Sequence, residues 1–114
     1  MDFEFEQKWK NMLVEVERFA GQPVDLQSVL FLVGVQELGH GNRKFKKDEK
    51  VSLMHVALCT LLEPEGFYTF LGLDEDGWPH FDRTSKLPHL VPAEQELLVK
   101  GALIKYFEAN PIPQ

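Results

Sequence analysis

The chain has 114 residues, 44% of them hydrophobic and 26% charged, and a formal net charge of −6. A chain of this size usually makes one domain and buries roughly two thirds of the surface it exposes when unfolded, so it can fold without disulfide or metal staples. The acidic balance argues against general nucleic-acid binding, which needs basic surface to displace counterions, and a single cysteine, Cys59, excludes an internal disulfide and a cysteine-rich zinc site.

The opening MDFEFEQKWK is acidic and mixed, without the basic start and apolar run of a secretory signal. No apolar stretch reaches the ~18 residues expected of a membrane span. The chain therefore reads as cytoplasmic, with no membrane partner.

The first predicted helix covers residues 3–20. Phe5, Trp9, Met12, Val16 and Phe19 recur at helical spacing, and Leu13 widens the stripe. Asp2, Glu4 and Glu6 lie near its start, where the helix dipole favours negative charge. Gly21 and Pro23 stop it.

The second helix is expected over residues 25–38, with Asp25 as its N-cap. Its interior, LQSVLFLVGVQEL, is apolar nearly all round. Leu26, Leu30 and Val33 cluster on one side, and Phe31, Val35 and Leu38 on another. A helix without a polar face is usually surrounded, here by the core or by a second subunit. Gly39 and Gly41, flanking His40, end it. The third helix is expected over residues 48–62, capped by Asp48. Val51, Leu58 and Leu62 share one face, extended by Met54, Ala57 and Leu61, while Leu53 and Val56 lie on the other side. Pro64 and Gly66 terminate it.

The pattern then changes. GFYTFLGL is aromatic-rich and contains threonine, which suits a strand, and WPHFD is a second extended piece. The DEDG between them reads as a hairpin turn. Pro79 cannot donate a backbone hydrogen bond, so its strand belongs at an edge. Residues 83–91 connect to a fourth helix from Pro92 to Ala109. Pro92 suits the first helical position, Glu94 and Glu96 suit the first turn, and Leu97, Leu98, Gly101, Ile104 and Phe107 give one apolar face.

The expected fold class is mainly α (α+β): a four-helix cluster with one β-hairpin inserted between the third and fourth helices. It forms a single globular domain over residues 1–110, and residues 111–114 form a flexible tail.

Three groups of residues invite a chemical reading. Residues 40–50 carry a net charge of +3, against −4 before them and −5 after. Arg43, Lys44, Lys46 and Lys47 surround Phe45 just before the third helix, as a phosphate or acidic-partner site would. They equally suit a solvated loop with Phe45 tucked into the core. Next, Glu37 falls on the stripe of Leu26, Leu30 and Val33, and His55 falls among Val51, Leu58 and Leu62. If helices two and three pack as antiparallel neighbours, Glu37 and His55 meet, with His40 as a third member. That makes an acid–base pair, a ligand pocket or a structural ion pair. Last, His55 and Cys59 stand one helical turn apart, but two ligands do not close a metal site. No metal or cofactor is expected.

LDEDGWPHF resembles a calcium loop only until the register is set. With Gly77 at loop position 6, Gly72 takes position 1 and Arg83 takes position 12, where an EF-hand needs acidic ligands. No nucleophile elbow, phosphate-binding glycine loop or zinc-protease motif occurs. The leading expectation is a non-enzymatic interaction or scaffold protein, a homodimer through apolar helical surface, with the second helix as its interface. The alternative is a small-ligand or hydrolytic domain with a pocket near Glu37, His40 and His55.

Overall fold

In a computed structural model, described here for residues 3–39 and 44–112, the elements run α1 (Phe3–Ala20), α2 (Leu26–Leu38), α3 (Lys47–Leu62), β1 (Tyr68–Leu73), β2 (Pro79–Arg83) and α4 (Pro92–Ala109). Four helices with an antiparallel two-stranded hairpin between the third and fourth make a mainly α protein with a small β part, as expected. His40, Gly41, Arg43 and the last two tail residues lie outside the described residues. By their contacts the residues divide into two compact units, one from residues 1–26 with 90–114, the other from residues 27–89.

The first unit holds α1 and α4. On α1, Trp9, Met12 and Val16 are buried; on α4, Ala102, Leu103 and Ile104 are. The apolar stripe read for α1 is longer than its buried part, since Phe19 in the last turn is 63% exposed. Leu97, early in α4, is exposed as well. The Lys100 ammonium stands 5.2 Å from the centre of the Trp9 ring and 3.6 Å from the Glu96 carboxylate. Its alkyl stem covers apolar surface while its charge meets the ring face. After α1 the chain turns at Gly21, whose φ of 75° favours glycine. The Glu17 carboxylate then accepts the Val24 N–H at 3.1 Å.

The second unit holds α2, α3 and the hairpin. Val29, Val33, Gly34 and Leu38 are buried on α2, and Leu53, Val56, Ala57, Cys59, Leu61 and Leu62 on α3. Most other apolar residues of α2, including Leu30, Phe31, Leu32 and Val35, are half-buried. The face read for α3 needs correction. Val51 is 58% exposed and His55 is exposed too, so the Val51–His55–Leu58–Leu62 row reaches the core only at its C-terminal end.

The two helices meet where α2 has no side chain. A Cβ added at Gly34 would overlap the Leu53 carbonyl and lie 3.1 Å from the Leu53 Cβ. This backbone-to-backbone contact also corrects the expected antiparallel pairing. Glu37, one turn beyond Gly34, shares a cleft with Thr60 and Glu63 at the far end of α3, not with its start. The reason lies in the connector. By Phe45 the chain is back beside Phe31, with the rings edge-to-face at 6.0 Å. Phe31 stands about 10 Å back along α2 from Leu38, at ~1.5 Å per helical residue, and α3 begins two residues after Phe45. The Lys46 N–H then donates to Glu49 at 2.9 Å and closes the start of α3.

In the hairpin, Tyr68 pairs with Arg83, Thr69 with Asp82 and Phe70 with Phe81, and a bulge follows before Gly72 pairs with His80. The Thr84 N–H donates to the Phe67 carbonyl at 3.0 Å and its hydroxyl to Gly66 at 2.6 Å, closing the base. Tyr68 lies edge-on to His55 of α3 at 6.5 Å between ring centres.

Replacing Gly34 by alanine forces α2 away from the Leu53 backbone. Overpacking of this kind costs about 2 kcal/mol. Urea denaturation should show a lower midpoint for Gly34→Ala, whereas Gly101→Ala, whose added Cβ would stand 3.7 Å from Phe5, should stay near wild type. Equal midpoints for wild type and Gly34→Ala would refute the contact.

Candidate functional site

Glu37 and His55 are both exposed, and among the described residues no hydrogen bond or ion pair joins them. Glu37 lines an open cleft of about 280 Å³ with Thr60, Glu63, Phe70, Leu73, Pro79 and Phe81. His55 is absent from its walls and turns instead toward Tyr68 and Cys59. His40 lies outside the described residues. Among the described residues Glu37 therefore faces the C-terminal half of α3, while His55 is engaged with Cys59 and Tyr68.

Cys59 and His55 do meet, with Sγ and Nε2 3.4 Å apart, within hydrogen-bond reach for sulfur. The thiol itself is fully buried, and burial pushes its pKa up to about 11. Nucleophilic and metal-bound cysteines need the thiolate, which cationic and polar surroundings favour; here the surroundings favour the neutral thiol. Burial also raises the Tyr68 phenol, with a smaller upward push from Cys59 and an opposing one from Arg83. Among the described residues no three histidine, cysteine or carboxylate side chains converge as a metal site. No helix among them is long and apolar enough to cross a membrane.

The basic segment enters the structure at Lys44. Lys44, Lys46 and Lys47 are exposed, and Phe45 is half-buried against Phe31. Arg43 lies outside the described residues. Asp48 and Glu49 in the first turn of α3 put two carboxylates beside these lysines, so the local field is mixed.

In the hairpin loop Asp74 organises the turn. Its Oδ1 accepts the N–H groups of Asp76 and Trp78, both at 2.9 Å, and its Oδ2 meets His80 Nε2 at 2.9 Å. The Gly77 N–H reaches the Asp74 carbonyl, the Asp74 N–H reaches Trp78, and Gly77 takes φ 85°. This is a three-residue loop with a left-handed glycine. The His80 hydrogen bond, followed by the Trp78 N–H, holds the Asp74 carboxyl below its usual range. The acidic loop is a turn whose carboxylate is already occupied by its own backbone.

Sequence reasoning missed a second cleft, of about 320 Å³, within the α1–α4 unit. Met12, Ile104, Phe107 and Ile112 give it an apolar floor, and Lys8, Asn11, Glu15 and Glu108 a polar rim. Ile112 belongs to the segment read as a tail. No family model, curated protein or solved structure matches the chain.

Two pH effects follow. The Cys59 pKa is raised on folding, so its contribution to stability is complete below the unfolded thiol pKa, near 9, and is lost as pH rises through about 11. Urea midpoints should therefore fall more steeply over that window in wild type than in Cys59→Ala. Parallel pH profiles would contradict this. Asp74 is the opposite case: its pKa is lowered, so its contribution is present above the ordinary carboxylate value and lost as pH falls through the folded one. Amide exchange at Trp78 should stay slow at neutral pH and lose protection in Asp74→Ala, and unchanged protection would show that the carboxylate does not hold the turn.

Proposed function

We propose that this protein is a non-enzymatic interaction protein of the cytoplasm that works as a homodimer, associating through exposed apolar surface. The observation that carries the reading is the cluster on β1, where Phe70, Leu71 and Leu73 are 47%, 60% and 66% exposed within four residues. Contiguous exposed apolar surface on a small protein marks a site of association. Further support comes from α1, where Phe3, Val14 and Phe19 are exposed.

The ionisable groups favour the same reading. Enzymes tune acids and bases by burying them, whereas among the described residues no polar or charged residue is buried. The most strongly displaced group, Cys59, is displaced away from reactivity. The alternative of a ligand-binding or hydrolytic domain retains the cleft beside Glu37, which Glu63 and Thr60 also line but His55 does not. The second helix is a weaker interface candidate than β1, since none of its large apolar residues is among the exposed ones.

Sedimentation velocity across the micromolar range tests the proposal. A species of twice the chain mass that dissociates on dilution is the expected result. A single monomeric species at the highest concentration would overturn it.

A further inference from the structure

A two-stranded sheet has two open edges, and here they differ. The Thr84 N–H to Phe67 carbonyl bond fixes which backbone groups face inward. Counting by two along the register, Thr69 bonds to Asp82, while Tyr68 and Phe70 turn their N–H and C=O groups outward. On β2 the outward positions are Pro79, Phe81 and Arg83. Proline lacks a donor, and Asp82 and Arg83 add charge, which are standard protections of an edge. The β1 edge has neither protection. Residues 66–73, GFYTFLGL, carry no charge and no proline. Among the described residues no backbone hydrogen bond reaches the outward groups of Tyr68 or Phe70.

The geometry points to a specific occupant for this edge: β1 of a second copy, paired antiparallel about a two-fold axis at Thr69. This rests on the self-association reading above and assigns it an interface. The register is self-complementary. Tyr68 of each copy lies opposite Phe70 of the other, and each of these two pairs exchanges two backbone hydrogen bonds. Thr69 faces its own symmetry mate, a favourable cross-strand pair. Phe70, 47% exposed in the single chain, packs across the new seam against the partner's Tyr68. No like charges oppose one another within the paired segment, so charge does not resist the match. The product is a four-stranded sheet in the order β2-β1-β1-β2, with the protected β2 strands outermost, so assembly stops at two copies.

Thr69→Lys separates this interface from the fold. Within the chain the introduced lysine faces Asp82, the cross-strand neighbour of Thr69, and this opposite-charge pair supports the hairpin. Across the two-fold axis two lysines oppose each other. Sedimentation of Thr69→Lys should show a dimer weakened about tenfold or more, the scale of a like-charge clash, with an unchanged circular dichroism spectrum. Mixing Thr69→Lys with Thr69→Glu chains should restore a dimer containing one of each. In a wild-type mixture of isotope-labelled and unlabelled chains, filtered NMR should show an inter-chain contact between the two Thr69 α-protons. A wild-type dimer that keeps its affinity in Thr69→Lys and lacks that contact overturns the edge pairing and leaves self-association standing. A wild-type chain that is monomeric throughout overturns both.

Discussion

The contact of Gly34 with the Leu53 backbone governs the 27–89 unit. Helices usually stand apart by the side chains between them; a glycine removes one of those side chains and lets main chain meet main chain. That closeness settles which side of each helix is inward. On α2 it selects Val29, Val33 and Leu38 around the glycine, and on α3 it selects Leu53, Val56 and Ala57. The remaining turns of α3 are then set: Cys59 goes inward, and His55 goes to the side where Tyr68 of β1 lies. The position of the hairpin on its helix thus follows from a contact on the opposite flank.

A second constraint acts within the hairpin. Asp74 holds two N–H groups with one oxygen and His80 with the other, so the loop has one length and one shape. A fixed loop fixes the register, and the bulge between Phe70 and Gly72 then places Phe70 opposite Phe81, with rings 5.5 Å apart. Register decides more than side-chain pairing. It also decides which backbone groups of β1 are used inside the sheet and which remain on its rim. Local polar chemistry at the turn therefore reaches the open edge several residues away.

Much of this fold was legible in the sequence because its signals are local. Helix limits follow from Gly21, Pro64, Pro92 and the apolar periodicity, and the hairpin follows from an Asp-Gly step between aromatic runs. Its inter-helical geometry was not legible. The antiparallel pairing assumed for α2 and α3 depends on a connector that goes straight across, whereas Phe45 returns to Phe31 first. A glycine inside an apolar helix was the available clue to close approach. Periodicity also overstated the core. Phe19, Val51 and Leu97 fit their stripes, yet all three are more than half exposed, since a helical pattern says which face is apolar but not how far along the helix its neighbour extends.

The same distinction separates the exposed ionisable residues Glu37 and His55 from the exposed apolar residues of β1 on which the proposed interface rests. Glu37 and His55 each stood on an apolar stripe, and a charged group on such a stripe implies a buried partner only if the stripe is buried. Both stripes run out to the surface at those residues, so neither group needs the other. Exposed apolar residues carry the opposite implication. Leu71 and Leu73 expose apolar surface to water that association would remove, and on β1 they coincide with outward N–H and C=O groups at Tyr68 and Phe70. Apolar surface alone is indifferent to its partner. Joined to a row of directional hydrogen-bonding groups with no charge among them, it acquires a register, and a register that maps the strand onto itself favours a second copy over other partners.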